Sequence, residues 1–226
     1  MPAIVVVQAR AASTRLPGKA LKPLAGVPML AFLLRRLLAG GLDAPCCLAT
    51  TTRPEDDALA ALAASLSVPV VRGECEDVLA RYLRCLDCFA PDGAVRVTAD
   101  NPFTSLEMLR LALASLAQGA DYVALPQGCP HGAGVDAFSA GALRRVADAA
   151  PDPAEREHIN LRMLRQPGAF AIRTPSIPTA WRRPDVRLTV DTPDDYAAAL
   201  RLAGGSRPEE LLDFDDILAR IPRPAA

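Results

Sequence analysis

The residues with the clearest chemical potential lie in a loop near the start of the chain, in the stretch IVVVQARAASTRLPGKAL at 4–21. An apolar run typical of a buried strand is followed by Arg10, Arg15 and Lys19, with small residues between them. Small residues let a backbone approach closely, Arg offers paired donors to phosphate oxygens, and Lys supplies a compact charge. The pattern predicts a polyphosphate-binding loop, although a solvated basic loop has the same composition. Neither GxxxxGK[ST] nor GxGxxG occurs, so the P-loop and Rossmann fingerprints are absent.

Two aspartates far along the chain could complete such a site. Asp100 ends the stretch VRVTAD and Asp191 follows RLTV, and each stands two residues before a proline. If both stretches are strands of one doubly wound sheet, the carboxylates reach the same crevice, where hard oxygen ligands suit Mg²⁺ bound together with substrate phosphates. The alternative is that each aspartate only starts a turn or caps a helix.

Regular alternation of apolar strands and amphipathic helices surrounds these residues. It predicts an α/β fold with a doubly wound, mostly parallel sheet and right-handed crossovers, in which ligands bind at the carboxyl ends of the strands. The basic loop and Asp100 both fall at those ends. The predicted strands are 4–9, 46–51, 68–73, 93–100, 121–125 and 186–192, and the predicted helices are 28–39, 53–66, 76–90, 106–118, 193–203 and 208–220.

A less regular region, rich in Pro and Gly, interrupts the alternation between about 126 and 185. We expect the whole chain, 1–226, to form a single domain, because its length suits one large α/β core. The irregular region is then an insertion that supplies a lid, the binding site of a second substrate and subunit contacts.

The overall composition narrows the classes of protein that the chain can represent. Half of the residues are hydrophobic but only 4% are aromatic, which favours helices packed on a sheet. A formal net charge of −1 gives no global attraction to nucleic acid or membranes, so a cationic site must be local. Without a long apolar run or a signal-peptide pattern, the sequence predicts a cytoplasmic protein. Its six cysteines, which include Cys85-x-x-Cys88, are predicted to be reduced structural thiols, since no second CxxC or histidine pair accompanies them.

The order of residues in the basic loop resembles that of a known family. QARAASTRLPGKALKPLAGVPML is similar to ARxxSxRLPGKxLxxLxGxPLL, the pattern of the CMP-sugar synthetase branch of the sugar nucleotidyltransferases. That branch contains CMP-Kdo synthetases, acylneuraminate cytidylyltransferases and the spore-coat polysaccharide protein F group, which is the most similar. RGECEDVLARY, VRVTADNPF, AEREHI and RLTVDTPDDY extend the similarity over roughly 4–200. The resemblance implies the nucleotide-diphospho-sugar transferase fold, in agreement with the alternation of strands and helices.

The resemblance also implies roles for individual residues. Asp100 and Asp191 match aspartates that hold the catalytic Mg²⁺ in CMP-sugar synthetases, which strengthens the metal hypothesis. Lys19, Arg10 and Arg15 are assigned to catalysis, through binding of the triphosphate and of the departing pyrophosphate. The predicted nucleotide-binding residues are Gln8, Ala9, Arg10, Ser13, Arg15, Lys19, Thr50, Arg81, Thr98 and Asp100, and the predicted acceptor-binding residues are His131, Asp136, Glu155 and His158.

Several of these assignments have plainer alternatives. Arg81 stands four residues after Asp77, so the two could form an ordinary pair on a helix surface. Glu155 and His158 could belong to a solvated helical face. The stretch CPHGAGVDAFS resembles YPDGLDVEVFS but departs from it where a family member would discriminate its sugar, at His131, Gly134 and Asp136.

The sequence as a whole predicts a cytidylyltransferase. We expect it to transfer CMP from CTP to an acidic sugar or related anionic acceptor, with Mg²⁺ and release of pyrophosphate, for cell-surface polysaccharide biosynthesis. A homodimer is expected, with neither a nucleic-acid nor a membrane partner. Two alternatives stay open: nucleotidyl transfer to a phosphorylated or phosphonate small molecule, and a glycosyltransferase that consumes a nucleotide sugar. The latter would usually hold metal with a DxD motif, for which the chain offers only loose analogues.

Overall fold

A seven-stranded sheet forms the centre of the computed structural model, which describes residues 3–205 and 212–223. The strands are β1 (Ile4–Gln8), β2 (Pro23–Leu24), β3 (Val27–Pro28), β4 (Cys46–Thr51), β5 (Val70–Gly73), β6 (Gly93–Thr98), β7 (Tyr122–Val123), β8 (Asp136–Ser139) and β9 (Ile172–Arg173). The order in the sheet is β5-β4-β1-β6-β8-β7-β9, and β2 pairs separately with β3. Strand β8 is antiparallel to both neighbours, whereas β5–β4, β4–β1, β1–β6 and β7–β9 are parallel pairs. The sheet is therefore mostly parallel, as predicted.

Helices connect the strands and begin at polar residues that the sequence supplies. The α-helices of the described residues are α1 (Met29–Ala39), α2 (Asp57–Ser65), α3 (Val78–Phe89), α4 (Leu106–Ala117), α5 (Ala140–Asp148), α6 (Pro153–Glu157), α7 (Leu161–Arg165), α8 (Pro193–Ala203) and α9 (Phe214–Ala219). The side chains of Asp77, Ser105 and Ser139 accept hydrogen bonds from backbone N–H groups in the first turns of α3, α4 and α5. Within residues 3–205 and 212–223, no helix has the length and apolar character needed to cross a membrane.

Alternating side chains of β1 pack against helices on both faces of the sheet. Val5 and Val7 lie in one apolar cluster with residues of α1, α2 and α4, whereas Ile4 and Val6 lie in another with residues of α3 and α5. All four side chains are fully buried, and burying each contributes roughly 1.5–3 kcal/mol. Helices thus cover both sides, which confirms the doubly wound arrangement and places the carboxyl ends of β1 and β6 at one edge.

The predicted last core strand, 186–192, is not part of the sheet, and this prediction is wrong. The segment runs beside two loops instead: the Val190 amide donates to the Asp100 carbonyl (2.8 Å), and the Leu188 amide donates to the His131 carbonyl (2.7 Å). Leu188 and Val190 are buried, as the apolar pattern indicates. Such a pattern reports which side chains are buried but not what the backbone pairs with, and the pairing partners here are loops.

The irregular region at 126–185 contributes strands β8 and β9 to the sheet in addition to helices α5, α6 and α7. The sequence did not predict β8, because it is short, begins with a charged residue and lies beside a Gly-rich stretch. The lid and the subunit contacts expected in this region stay predictions. Helix α9 lies within the predicted helix 208–220, of which 208–211 fall outside the described residues.

The six cysteines are free thiols in several different environments. Cys47 and Cys85 are buried between β4 and α3 with their Sγ atoms 3.9 Å apart, whereas Cys88 is exposed. Burial raises the pKa of the Cys46 thiol to about 12, so this group stays protonated at neutral pH. Because Cys85 is buried and Cys88 is exposed, the two thiols of Cys85-x-x-Cys88 lie in different places, one in the core and one at the surface.

Candidate functional site

A cavity of about 360 Å³, called here the main cavity, opens at the carboxyl ends of β1 and β6. Ligands of doubly wound sheets bind at this end, and the basic loop after β1 forms one wall. Eleven of the residues predicted to bind nucleotide, metal or acceptor line this cavity: Gln8, Ala9, Arg10, Ser13, Arg15, Lys19, Arg81, Thr98, Asp100, His158 and Asp191.

The Lys19 ammonium bridges the two predicted metal ligands. Its Nζ atom lies 2.9 Å from Asp100 Oδ2, 2.9 Å from Asp191 Oδ1 and 2.9 Å from the Val190 carbonyl oxygen, so all three donors are used. The Lys19 side chain is only 13% exposed, which makes these ion pairs stronger than fully solvated ones. Gly18 precedes it with a φ of 65°, in the left-handed region that glycine adopts without strain.

Asp100 is held in place by a turn that a buried arginine supports. Arg36 on α1 donates hydrogen bonds to the carbonyl oxygens of Pro102 (2.9 Å) and Thr104 (3.1 Å), just after Asp100. Burial lowers the pKa of Arg36 to about 10 while the charge of Glu107 opposes that shift, so the guanidinium stays protonated at neutral pH. This fixed cation keeps the turn, and with it the Asp100 carboxylate, at the edge of the main cavity.

Asp191 lies at the start of α8 among several cations. Its backbone N–H donates to Asp195 Oδ2 (3.0 Å), and its carboxylate accepts from Lys19 and lies 3.1 Å from Arg15 and 2.7 Å from Arg187. Burial by itself raises the pKa of Asp191, but the hydrogen bond and charge of Lys19, helped by both arginines, outweigh burial and lower it. The carboxylate is therefore ionised at neutral pH.

The two carboxylates fit a magnesium ion that is bound together with phosphates. Asp100 Oδ2 and Asp191 Oδ1 both contact a single Nζ atom, so one small cation can reach both oxygens. Mg²⁺ commonly takes one or two carboxylates and completes its shell with water and phosphate oxygens. In the part of the chain that the structure describes, no three His, Cys, Asp or Glu residues group into a full protein cage. The donor set therefore suits an ion that keeps positions open for a substrate.

Two arginines of the basic loop are exposed at the mouth of the main cavity. Arg15 has 63% of its side chain exposed, and one of its guanidinium nitrogens lies 3.1 Å from Asp191 Oδ1. Arg10 is also exposed, with a guanidinium nitrogen 4.0 Å from the sulfur of Cys75. Exposed ion pairs contribute little free energy, so both side chains can turn toward an anion in the main cavity at small cost.

A buried aspartate that was not predicted from the sequence, Asp56, binds the backbone of the basic loop. Asp56 is 1% exposed and accepts hydrogen bonds from the Ala11 amide (2.6 Å), the Thr51 amide (3.1 Å) and both threonine hydroxyls of Thr50 and Thr51. Thr50, predicted to bind nucleotide, is thus fully buried and committed to Asp56. Asp56 falls within the predicted helix 53–66, and a carboxylate's contact with a loop 45 residues earlier leaves no local signal in the sequence.

Arg81 lines the main cavity but is bound to the backbone. Its side chain is buried and donates hydrogen bonds to the carbonyl oxygens of Glu74 and Cys75. The alternative of a surface pair with Asp77 does not occur, since Asp77 contacts Arg156 (2.7 Å) instead. Arg81 therefore shapes the cavity wall where β5 leads into α3.

Glu155 does not line the main cavity. It forms a capping box with Asp152 at the start of α6 and accepts hydrogen bonds from Arg162 (2.7 Å) and Arg165 (3.1 Å). The hydrogen bond from Arg162 is the main cause of the lowered pKa of this carboxyl. Glu155 thus organises α6 and α7, and only its neighbours Glu157 and His158 reach the main cavity.

A second cavity of about 430 Å³, called here the side cavity, adjoins the main one through the shared residues Arg96 and Thr98. His131 and Asp136, both predicted to bind the acceptor, line it. Asp136 is buried, pairs with Arg96 and accepts a hydrogen bond from the Tyr122 hydroxyl (3.1 Å). The negative charge of Asp136 is therefore neutralised inside the protein.

One glycine in the wall of the side cavity, Gly132, has no room for a side chain. Gly132 has a φ of 90°, and a Cβ there would lie 2.5 Å from Thr189 Oγ1 and 2.8 Å from Asn101 Oδ1. We expect Gly132→Ala to lower the free energy of unfolding by about 2–3 kcal/mol, measured by denaturant titration. Gly134→Ala is the matched control, because its Cβ would meet only the side-chain ends of Leu125 and Cys129 among its near contacts. Equal stability of the two variants would contradict the close packing at Gly132.

The sequence and the fold are both similar to those of known proteins. A family model described as cytidylyltransferase matches residues 4–214. The chain is 31% identical over 214 residues to the spore coat polysaccharide biosynthesis protein SpsF of Bacillus subtilis, across 91% of this chain and 89% of that protein.

Two solved structures show the same architecture. A cytidylyltransferase from Leptospira borgpetersenii superposes with a TM-score of 0.88 and 26% identity, over 97% of this chain and 93% of the other. A CMP:2-keto-3-deoxy-manno-octonic acid synthetase in complex with CTP superposes with a TM-score of 0.65 and 18% identity, over 88% of this chain and 97% of the other, a likeness of fold alone. The predicted α/β fold and the resemblance carried by the basic loop are both confirmed.

Proposed function

The chain belongs to the cytidylyltransferase family, and from that premise we propose that it transfers CMP from CTP to an anionic small-molecule acceptor in the presence of Mg²⁺. Family membership makes it a nucleotidyltransferase; the base, the metal and the acceptor class are the proposal. The structural neighbour solved with CTP supports this choice of nucleotide. The name of the Bacillus subtilis relative supports a role in the biosynthesis of surface polysaccharide.

One observation carries the proposal: Lys19 lies between Asp100 and Asp191 at the ligand end of the sheet, with two further cations exposed beside it. In nucleotidyl transfer, negative charge grows on the α-phosphoryl oxygens and on the departing pyrophosphate. Cations that are already fixed at that point stabilise the transition state without reorganising. The main cavity offers this arrangement and the adjoining side cavity offers space for an acceptor.

The reaction balances without a covalent enzyme intermediate. An acceptor oxyanion, formed when a sugar hydroxyl loses its proton to water, attacks the α-phosphorus, a new P–O bond forms, and the bond to the β-phosphate breaks so that pyrophosphate leaves. Arg10 and Arg15 bind the β- and γ-phosphates, and Lys19 joins them once the ion takes its place between Asp100 and Asp191, so that the three cations neutralise the leaving group. Asp100 and Asp191 would hold the ion, which supplies Lewis-acid stabilisation of the phosphoryl charge when it is bound.

The test is pyrophosphate release with each of the four nucleoside triphosphates, with and without Mg²⁺, against a panel of acceptors. The panel contains acidic sugars in one arm and phosphorylated or phosphonate small molecules in the other. We expect release with CTP, Mg²⁺ and a carboxylate-bearing sugar. Release only in the second arm would move the acceptor to the phosphorylated class, and the absence of release alongside transfer from a nucleotide sugar would contradict the proposal.

A further inference from the structure

Arg187 uses every nitrogen of its guanidinium in a separate contact. Nε lies 3.0 Å from Asp195 Oδ1, one terminal nitrogen lies 2.7 Å from Asp191 Oδ2, and the other lies 2.6 Å from His131 Nδ1. The side chain is 38% exposed, so it stands at the surface of the site. One arginine thus joins a residue of the main cavity, the start of α8 and a residue of the side cavity.

The contact with Asp191 sets which of its carboxylate oxygens faces the main cavity. Arg187 takes Oδ2, whereas Oδ1 faces Lys19 and Arg15 in the main cavity. A carboxylate held in this way presents one oxygen to a cation. Residues that orient a metal ligand through its second atom set the geometry and affinity of the site without touching the ion.

The Arg187 guanidinium is anchored to the first turn of α8. Its partner Asp195 accepts hydrogen bonds from the backbone N–H groups of Asp191 (3.0 Å) and Thr192 (2.9 Å). Asp195 and Thr192 form the capping box that begins α8. The guanidinium, the Asp191 backbone and the first turn of α8 therefore form one hydrogen-bonded unit.

The third contact, with His131 Nδ1, determines which nitrogen of the neutral His131 ring carries the proton. A guanidinium has only donors, so His131 Nδ1 must accept, and the neutral ring then carries its proton on Nε2. The His131 backbone is held as well, since its N–H donates to the Val186 carbonyl (2.9 Å). His131 thereby braces Arg187 from the side-cavity wall and keeps Nε2–H as the ring's donor.

We propose that Arg187 is a positioning residue that turns Asp191 Oδ1 toward the metal, and that His131 of the side cavity contributes to metal binding through Arg187. The inference rests on the proposed function, because it assumes that Asp191 holds the ion. It extends that function by joining the wall of the side cavity to a metal ligand through a single side chain.

The test measures Mn²⁺ binding in the presence of CTP, from the paramagnetic resonance signal of the free ion. We expect Arg187→Ala to weaken Mn²⁺ binding by about 10-fold or more. Arg187→Lys should weaken it less, because lysine keeps the positive charge but cannot donate to several partners in the fixed directions of a guanidinium. Added guanidinium ion should restore part of the binding in Arg187→Ala only. Arg201→Ala, which removes an exposed arginine of α8, is the matched control and should bind as the unmodified protein does.

His131→Ala tests the second half of the inference. It should weaken Mn²⁺ binding about 2- to 5-fold, and the double variant with Arg187→Ala should bind no more weakly than Arg187→Ala alone, because both changes act through one contact. Unchanged Mn²⁺ affinity in Arg187→Ala and Arg187→Lys would overturn the positioning role, and fully additive effects would overturn the role of His131. If the unmodified protein binds no Mn²⁺ with CTP, the proposed function fails instead.

Discussion

Replacement of Lys19 by alanine is expected to lower turnover by at least about 100-fold, because it removes a preorganised cation from the point where phosphoryl charge develops. The loss of turnover has a second cause, which is repulsion between the carboxylates of Asp100 and Asp191. Lys19 Nζ lies 2.9 Å from both Asp100 and Asp191, and without it two negative groups face each other. Because Lys19 helps to lower the pKa of Asp191, its removal also moves that pKa upward. Steady-state pyrophosphate release with CTP measures the effect.

The matched control is Lys22→Ala in the same loop. Lys22 Nζ lies 5.4 Å from the centroid of the Tyr196 ring, a cation–π contact outside the main cavity, so turnover should stay within a few-fold. The melting temperature, measured with and without Mg²⁺, shows whether Lys19→Ala is impaired by the loss of a charge between the carboxylates or by a folding defect. Mg²⁺ should raise the melting temperature of Lys19→Ala more than that of the unmodified protein, because the ion replaces the missing charge between the carboxylates. Turnover of Lys19→Ala within a few-fold of the unmodified protein would mean that the chemistry occurs elsewhere.

Asp56→Ala is expected to have the largest effect on folding, with a loss of roughly 3–4 kcal/mol in the free energy of unfolding. The change leaves two backbone N–H groups, of Ala11 and Thr51, and the hydroxyls of Thr50 and Thr51 without their buried acceptor. Turnover should fall as well, since Ala11 belongs to the basic loop. Denaturant titration gives the free energy. Asp57→Ala is the control, because Asp57 is 65% exposed and forms a surface ion pair with Arg72, whose loss costs under about 1 kcal/mol.

The same carboxylate predicts a pH dependence of stability. Burial by itself raises the pKa of Asp56, but hydrogen bonds from Thr51, Ala11 and Thr50 outweigh burial and lower it. The folded pKa thus lies below the unfolded value of about 3.9. The stabilisation is complete above that value and is lost as the pH falls through the folded pKa. Asp56→Asn should reduce the fall in the free energy of unfolding at acidic pH, measured by denaturant titration at several pH values. An unchanged fall would show that other carboxylates cause it.

Strong local patterns made much of the fold predictable from the sequence. Strands β1, β4 and β6 and helices α1, α4 and α8 are encoded by apolar periodicity and end signals such as Gly, Pro and capping residues. The meeting of Lys19 with Asp100 could also be foreseen, because loops that follow parallel neighbouring strands gather at one edge. Asp191 reaches the same point, but from a segment outside the sheet.

Contacts between distant buried polar groups could not be predicted in the same way. Asp56 has ordinary sequence surroundings, and Arg187 opens a family-like motif that gives no sign of its contacts. Both sets of contacts arise only when loops far apart in the chain are brought together. Glu155 illustrates the reverse case. Its family-like motif suggested an acceptor contact, whereas its carboxylate is occupied by Arg162 and Arg165 of the next helix, α7. Local patterns specify elements, while the use of each charge depends on tertiary packing.

The position of the segment at 186–192 outside the sheet has a consequence for local stability. Strands with neighbours on both sides open only when the whole domain unfolds, whereas a segment tied to loops by a few hydrogen bonds opens at a smaller free-energy cost. Asp100 lies in the turn two residues after β6, a strand of the first kind, whereas Asp191 lies in the segment of the second kind. The proposed ion site therefore joins the end of a core strand to a segment that can open separately, and a bound ion and nucleotide would hold the two together. Ligand binding would then protect backbone amides far from the ligand, along this whole segment, from hydrogen exchange.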